Sequence, residues 1–175
     1  MRAFSLSGNR LLWTSPVAKG SNPFTGNNLV YSTFYSESKS YLIALDQATG
    51  TEKWRYAPTK GSLETASISL DGTSIAFISS PSVLGEGYVL YVLDAITGKL
   101  RWEKSVYNNN FSLIVGAKVY VRTGTINDAT ITAFDVNTGS KVWESRSLGV
   151  SLPGPMCVIT ADGKTYYMPE SGMRQ

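Results

Sequence analysis

Three stretches of the sequence superimpose without a gap: ALDQATGTEKW at 44–54, VLDAITGKLRW at 92–102 and AFDVNTGSKVW at 133–143. Each reads Asp-x-x-Thr-Gly-x-x-x-Trp. A fourth stretch, AFSLSGNRLLW at 3–13, keeps the Ala-to-Trp spacing but has Ser5 in place of the Asp and Gly8-Asn9 in place of Thr-Gly. All four tryptophans of the chain, Trp13, Trp54, Trp102 and Trp143, hold this one position, spaced 41, 48 and 41 residues apart. A period of ~20–50 residues marks a repeat architecture in which each unit buries its apolar face on its neighbour.

Outward from the motif, Tyr41-Leu42-Ile43-Ala44-Leu45 reads as a strand and the segment through Trp54 as its hairpin partner. Asp46, Asp94 and Asp135 are placed to accept backbone N–H groups of the turn, and Gly50, Gly98 and Gly139 to supply a positive φ. Asn9 is the next best residue for that conformation. A Trp opposite a small residue such as Ala3, Ala44 or Ala133 suits an indole lying flat across a neighbouring sheet. Val92 breaks the small-residue rule, which predicts altered packing in that repeat. Further hairpin signals lie at Asp71-Gly72, Gly116-Ala117 and Asp162-Gly163, with Gly26-Asn27 the weakest. Together they give about four strands per repeat and no segment of helical period, so the chain is all-β.

Composition narrows the function classes. At 175 residues, 42% hydrophobic and 17% charged, the chain supports an ordinary core without staples. The net charge of +3 comes from interleaved basic and acidic residues, not the dense basic stripe that nucleic acid requires. Histidine is absent, which removes His-based triads, most zinc sites and the commonest general base. Cys157 stands alone in an apolar run, makes no intrachain disulfide and reads as an inert core thiol. Residues 1–8 lack the apolar stretch of a signal peptide, and no run approaches a membrane span; the compartment stays open.

The strand, the Asp-x-x-Thr-Gly turn and the Trp-bearing strand resemble the pyrroloquinoline-quinone (PQQ) type of β-propeller repeat, three times cleanly and once degraded, over essentially the whole chain. The resemblance implies a propeller of four W-shaped four-stranded blades. Residues 2–14 would form an outer hairpin, 15–56, 57–104 and 105–145 successive blades, and 150–170 an inner half-blade, the first and last segments completing one shared blade. Three assemblies stay open: a four-bladed monomer, two chains exchanging half-blades in an eight-bladed ring, and part of a longer chain. A flat indole spacer favours the shallow step of the larger ring. Similar repeats occur in quinoprotein dehydrogenases, in a bacterial outer-membrane assembly lipoprotein and in sensor domains, often periplasmic or extracellular, so the repeat does not name a function.

The resemblance gives Asp46, Gly50, Trp54, Asp94, Gly98, Trp102, Asp135, Gly139, Trp143 and Trp13 a structural role, and no catalytic or metal residue is expected. In quinoprotein dehydrogenases the cofactor lies on a Trp floor beneath a disulfide between adjacent cysteines. This sequence has a single Cys and commits every Trp to the repeat, so no cofactor is expected. Glu52, Glu103 and Glu144 with Lys53, Arg55, Arg101, Lys104, Lys141 and Arg146 read as a solvated rim. Recognition is expected on loops outside the repeat: Tyr56 at the head of 56–64, Leu84, Glu86 and Tyr88 in 79–88, and Tyr107 and Asn109 beyond. The expected function is a non-enzymatic binding or scaffold protein with a protein partner, as a homodimer or part of a larger propeller. The alternatives are part of a PQQ-dependent quinoprotein oxidoreductase lacking its active-site residues, and a carbohydrate-binding propeller that stacks sugars on Tyr107 or Tyr88.

Overall fold

A computed structural model describes residues 1–16, 23–37, 39–81, 87–106, 112–124, 128–147, 157–161 and 164–168. Strands β1 (Arg2–Phe4) and β2 (Leu11–Thr14) form a two-stranded sheet. Three four-stranded sheets follow. The first blade holds β3 (Phe24–Gly26), β4 (Leu29–Ser36), β5 (Lys39–Asp46) and β6 (Glu52–Tyr56). The second holds β7 (Ser62–Ile68), β8 (Ser74–Ser80), β9 (Tyr88–Asp94) and β10 (Leu100–Val106). The third holds β11 (Ser112–Val115), β12 (Lys118–Gly124), β13 (Ala129–Asp135) and β14 (Lys141–Glu144). Finally β15 (Cys157–Ala161) and β16 (Lys164–Met168) pair as a second two-stranded sheet, with β15 beside β11. Every pairing is antiparallel between chain neighbours, the up-and-down order of propeller blades. No helix occurs among the described residues, so none is long and apolar enough to cross a membrane.

The core lies between blades rather than within one. Successive side chains of a strand point to opposite faces, so Leu42 and Ala44 pack forward on Ile75, Phe77, Tyr91 and Leu93 of the second blade. Ile43 and Leu45 pack backward on Trp13. The third strands are covered on both faces, which explains their unbroken apolar runs, and each fully buried Leu or Ile there contributes roughly 1.5–3 kcal/mol. Ala76, Ile78, Leu90 and Val92 repeat the arrangement against Ile114, Val119, Val121 and Phe134 of the third blade.

Two local features refine the sequence reading. The weakest hairpin turns on Asn27 and Asn28, both at positive φ (50° and 58°), and not on Gly26, which is already paired with Leu29. The Val92 exception is resolved by its partner. Tyr31 faces Ala44 and Tyr120 faces Ala133, whereas Ala76 faces Val92, so the small residue changes strands and the pair in the second blade is the smaller one.

Candidate functional site

The repeated motif builds one device at each blade seam. Asp46 Oδ1 accepts the N–H groups of Ala48 and Thr49, each at 3.0 Å, and the Thr49 hydroxyl at 3.0 Å. Asp94 accepts from Thr97 N–H at 2.9 Å and its hydroxyl at 2.8 Å. Asp135 accepts from Asn137 and Thr138 in the same way. The turn then closes through Gly50, Gly98 and Gly139 at φ 72°, 70° and 70°. These contacts hold the carboxyls below their ordinary value of 3.8: at Asp46 mainly through the Lys53 ammonium and at Asp135 through the Thr138 N–H. At Asp94 burial works the other way and is outweighed by Thr97 and Arg101.

Three of the indoles lie on the turn of the following blade. Trp13 Nε1 donates to the Gln47 carbonyl at 2.8 Å, Trp54 Nε1 to Ala95 at 3.2 Å and Trp102 Nε1 to Val136 at 2.9 Å. The acceptor is always the residue after the motif Asp. The motif glycines are therefore needed twice over. Besides the positive φ, a Cβ on Gly50 would stand 2.5 Å from Trp13, one on Gly98 2.5 Å from Trp54 and one on Gly139 2.8 Å from Trp102. Trp143 is the fourth member and is 41% exposed.

A bulge hidden by the gapless alignment sits before every Trp. Ala44 pairs with Trp54 but Leu45 with Glu52, leaving Lys53 as the extra residue. Leu12, Arg101 and Val142 hold the same place. The bulge aims basic side chains back over the turn, as Lys53 reaches Asp46 at 3.2 Å. Arg101 does more. Its Nη2 donates to Asp94 Oδ2 at 3.0 Å and to the Thr73 carbonyl at 2.9 Å, and its Nη1 to Ser74 Oγ at 2.8 Å and to Asn137 Oδ1 at 3.1 Å. Arg101 thus clamps the second blade to the third and is no part of a solvated rim; nothing in its own repeat signals this, because Asn137 is 36 residues away. Arg55–Glu52 and Lys141–Glu144 are exposed ion pairs at 2.6 and 2.7 Å, as a rim would have.

The candidate recognition residues fall differently. Tyr56 ends β6, paired with Leu42, and its ring meets Phe77 and Tyr91 edge-on at 5.8 and 6.0 Å. Burial, with the charge of Tyr91 and Glu103 nearby, pushes its phenol up to about 12. Tyr88 begins β9 and packs half-buried on the seam between the second and third blades, so neither tyrosine stands free in a loop. Leu84, Glu86, Tyr107 and Asn109 lie outside the described residues. Tyr31, also raised to about 12 by burial and the Asp94 charge, donates to the Ala95 carbonyl at 3.1 Å, the group Trp54 also uses. Among the described residues no cluster of three or more Cys, Asp or Glu is placed to hold a metal ion.

The same architecture recurs in known proteins. The family described as outer membrane protein assembly factor BamB matches residues 2–110 and again 82–174. BamB from Moraxella catarrhalis is similar over 99% of this chain and 69% of its own, at 16% identity and a TM-score of 0.52. The β-propeller domain of the Trilobed protease from Pyrococcus furiosus, described as having an open velcro topology, matches over 85% of this chain and 47% of its own, at 17% identity and a TM-score of 0.60. A europium-containing methanol dehydrogenase matches over 80% of this chain and 27% of its own, at 22% identity and a TM-score of 0.55. The chain thus spans about a quarter of that dehydrogenase and about half of the protease propeller. No curated protein matches the chain in sequence. With its seams, turns and both family matches running through nearly every repeat, the chain belongs to the BamB family of PQQ-type β-propellers.

Proposed function

We propose that the chain is a non-enzymatic scaffold whose rigid blades present a surface to another protein, assembled as a homodimer or within a larger propeller. One observation carries this reading. The repeated residues that have chemistry to offer are turned into the seams: three tryptophan N–H groups are spent on carbonyls of the next blade, and the aspartates are spent on turn amides and hydroxyls. What this leaves for recognition is the outer surface of a rigid frame. Membership of a family described by an assembly factor agrees with that role.

The overlay on a methanol dehydrogenase keeps a second reading alive, in which the chain is part of a quinoprotein oxidoreductase. Titrating the folded chain with PQQ and calcium, followed by tryptophan fluorescence and dye-coupled alcohol oxidation, separates the two. The scaffold reading expects neither saturable quenching nor dye reduction. Saturable PQQ binding with turnover of an alcohol would overturn it.

A further inference from the structure

Two buried side-chain oxygens have no hydrogen-bond partner among the described residues, Ser67 Oγ and Ser112 Oγ. Both belong to the innermost strands of complete four-stranded blades, and both turn into the same seam. Ser67 of β7 stands opposite Ala76, which packs on the third blade, while its neighbours Ala66 and Ile68 point back to the first. Ser112 of β11 stands opposite Val121, which packs on the second blade. The two hydroxyls therefore enter the seam between the second and third blades from opposite sides, sealed from solvent.

The preceding seam shows what this place otherwise holds. Leu29, Ser74 and Lys118 each face the motif Asp of their blade. Counting from them sets Phe24 of the first blade at the position of Ser67, and Ala66 of the second at the position of Ser112. Phe24 stacks on Tyr31 with ring centroids 5.2 Å apart and packs on the cluster that Ala66 joins, so that seam is closed by a ring and a methyl group. The next seam has two hydroxymethyl groups in their place. β11 lies against β7 and β8, which takes up part of the lost volume. Closer approach does not satisfy the hydroxyls, which enter one seam without bonding to each other.

We propose that Ser67 and Ser112 hold one ordered water between the second and third blades. A buried hydroxyl that finds no partner loses the hydrogen bonds it makes to solvent in the unfolded chain and gains none in return. A water restores them, because it can donate to one serine and accept from the other. β7 and β11 are the inner edge strands of their sheets, so backbone groups on their free edges supply further partners, within the ~2–4 that a buried water takes. An ion is disfavoured, because two neutral hydroxyls offer no charge to offset its burial. The site lies inside the frame and is independent of what the outer surface binds.

A crystal structure of the folded chain tests this directly, with a water expected within ~2.5–3.0 Å of both Oγ atoms. Hydroxyls bonded to each other, or each to a backbone carbonyl with no water between them, would overturn the proposal. Stability gives a second reading. Removing an orphan hydroxyl relieves an unfavourable burial, whereas removing one that holds a water leaves that water and its other partner short of a bond. Ser67→Ala and Ser112→Ala are each expected to raise the unfolding equilibrium constant, measured in urea, about fivefold. The double variant should raise it by less than the product of the two, about 25-fold, because one water serves both serines. A lowered constant in either single variant, or a double variant equal to the product, would overturn the shared water.

Discussion

Phe4 and Leu93 hold the same place in the repeat, yet Phe4 is 49% exposed and Leu93 not at all. The local backbone is not the cause. Around Phe4 the chain makes the same hairpin, with Ser5 N–H donating to the Arg10 carbonyl at 2.9 Å as Asp94 N–H donates to Lys99 at 2.8 Å, and with the same bulge before the Trp. What differs is the neighbour. Leu93 lies against the Trp-bearing blade before it and has its own inner strands beside it, while among the described residues Phe4 is paired with Leu11 of β2 alone. The hairpin therefore forms from local sequence alone, and its burial comes from the seam. Stability in this fold is a property of adjacent blades taken in pairs, as in other stacked repeats.

The sharpest way to break this comparison is to remove an indole at each kind of position. Trp54→Ala should cost about 3–5 kcal/mol, because it empties the seam against Gly98 and leaves the Ala95 carbonyl with one donor fewer. Trp143→Ala should cost less, about 1–2 kcal/mol, because its side chain is 41% exposed and buries less apolar surface. Urea unfolding measures both. Equal costs would mean that exposure at Trp143 does not lower what its indole contributes, and that the comparison fails.

The glycines sharpen the same contrast with a smaller effect. Gly98→Ala forces a Cβ to within 2.5 Å of Trp54 at φ 70°, combining left-handed strain with overpacking for about 3 kcal/mol. Gly8→Ala meets nothing within 4 Å at φ 87° and should cost only the backbone strain, about 1 kcal/mol. The difference between the two isolates the indole contact, and a difference near zero would show that the motif glycine serves the turn alone.

The repeat itself was legible because its parts are contiguous: a turn aspartate, a positive-φ glycine and a Trp at constant spacing announce the hairpin and its spacer. The indole's target was not, since the glycines answer to positive φ alone until the ring of the preceding blade is brought to them. Other features are written in two places at once. Arg101 looks like one more rim cation until Ser74 and Asn137 are brought to it from the second hairpin turn and from the next blade. Val92 looks like an exception until Ala76 is seen opposite. Tyr56 and Tyr88 read as loop residues because where a strand ends depends on what packs over it: the Phe77 and Tyr91 rings extend β6 to Tyr56.

Arg101 supplies the next test, set against Lys53 at the same bulge position. Arg101→Met removes the guanidinium from Asp94, Ser74, Asn137 and the Thr73 carbonyl and should cost about 1–2 kcal/mol. Lys53→Met breaks an ion pair whose ammonium is half in solvent, and its cost should lie close to zero. Similar costs at the two sites would mean that the inter-blade hydrogen bonds of Arg101 contribute nothing beyond a surface pair.

The smallest effect distinguishes the turns by acid. Asp46, Asp94 and Asp135 are held below 3.8 by their turn amides, hydroxyls and basic partners, so their folded values lie under the unfolded one. A depressed carboxylate contributes stability that is fully present above its unfolded value of ~3.9 and is lost as pH falls through the lower folded value. The urea midpoint should hold level from neutral pH down to roughly pH 5 and fall below about pH 4. Residue by residue, the Thr49, Thr97 and Thr138 amide resonances should move over that acid range as their acceptors take up protons. The Ser5 turn carries no carboxylate and is closed by backbone groups, so its amides should stay fixed; movement there in step with the other three would mean that the turns titrate as one coupled unit across the seams.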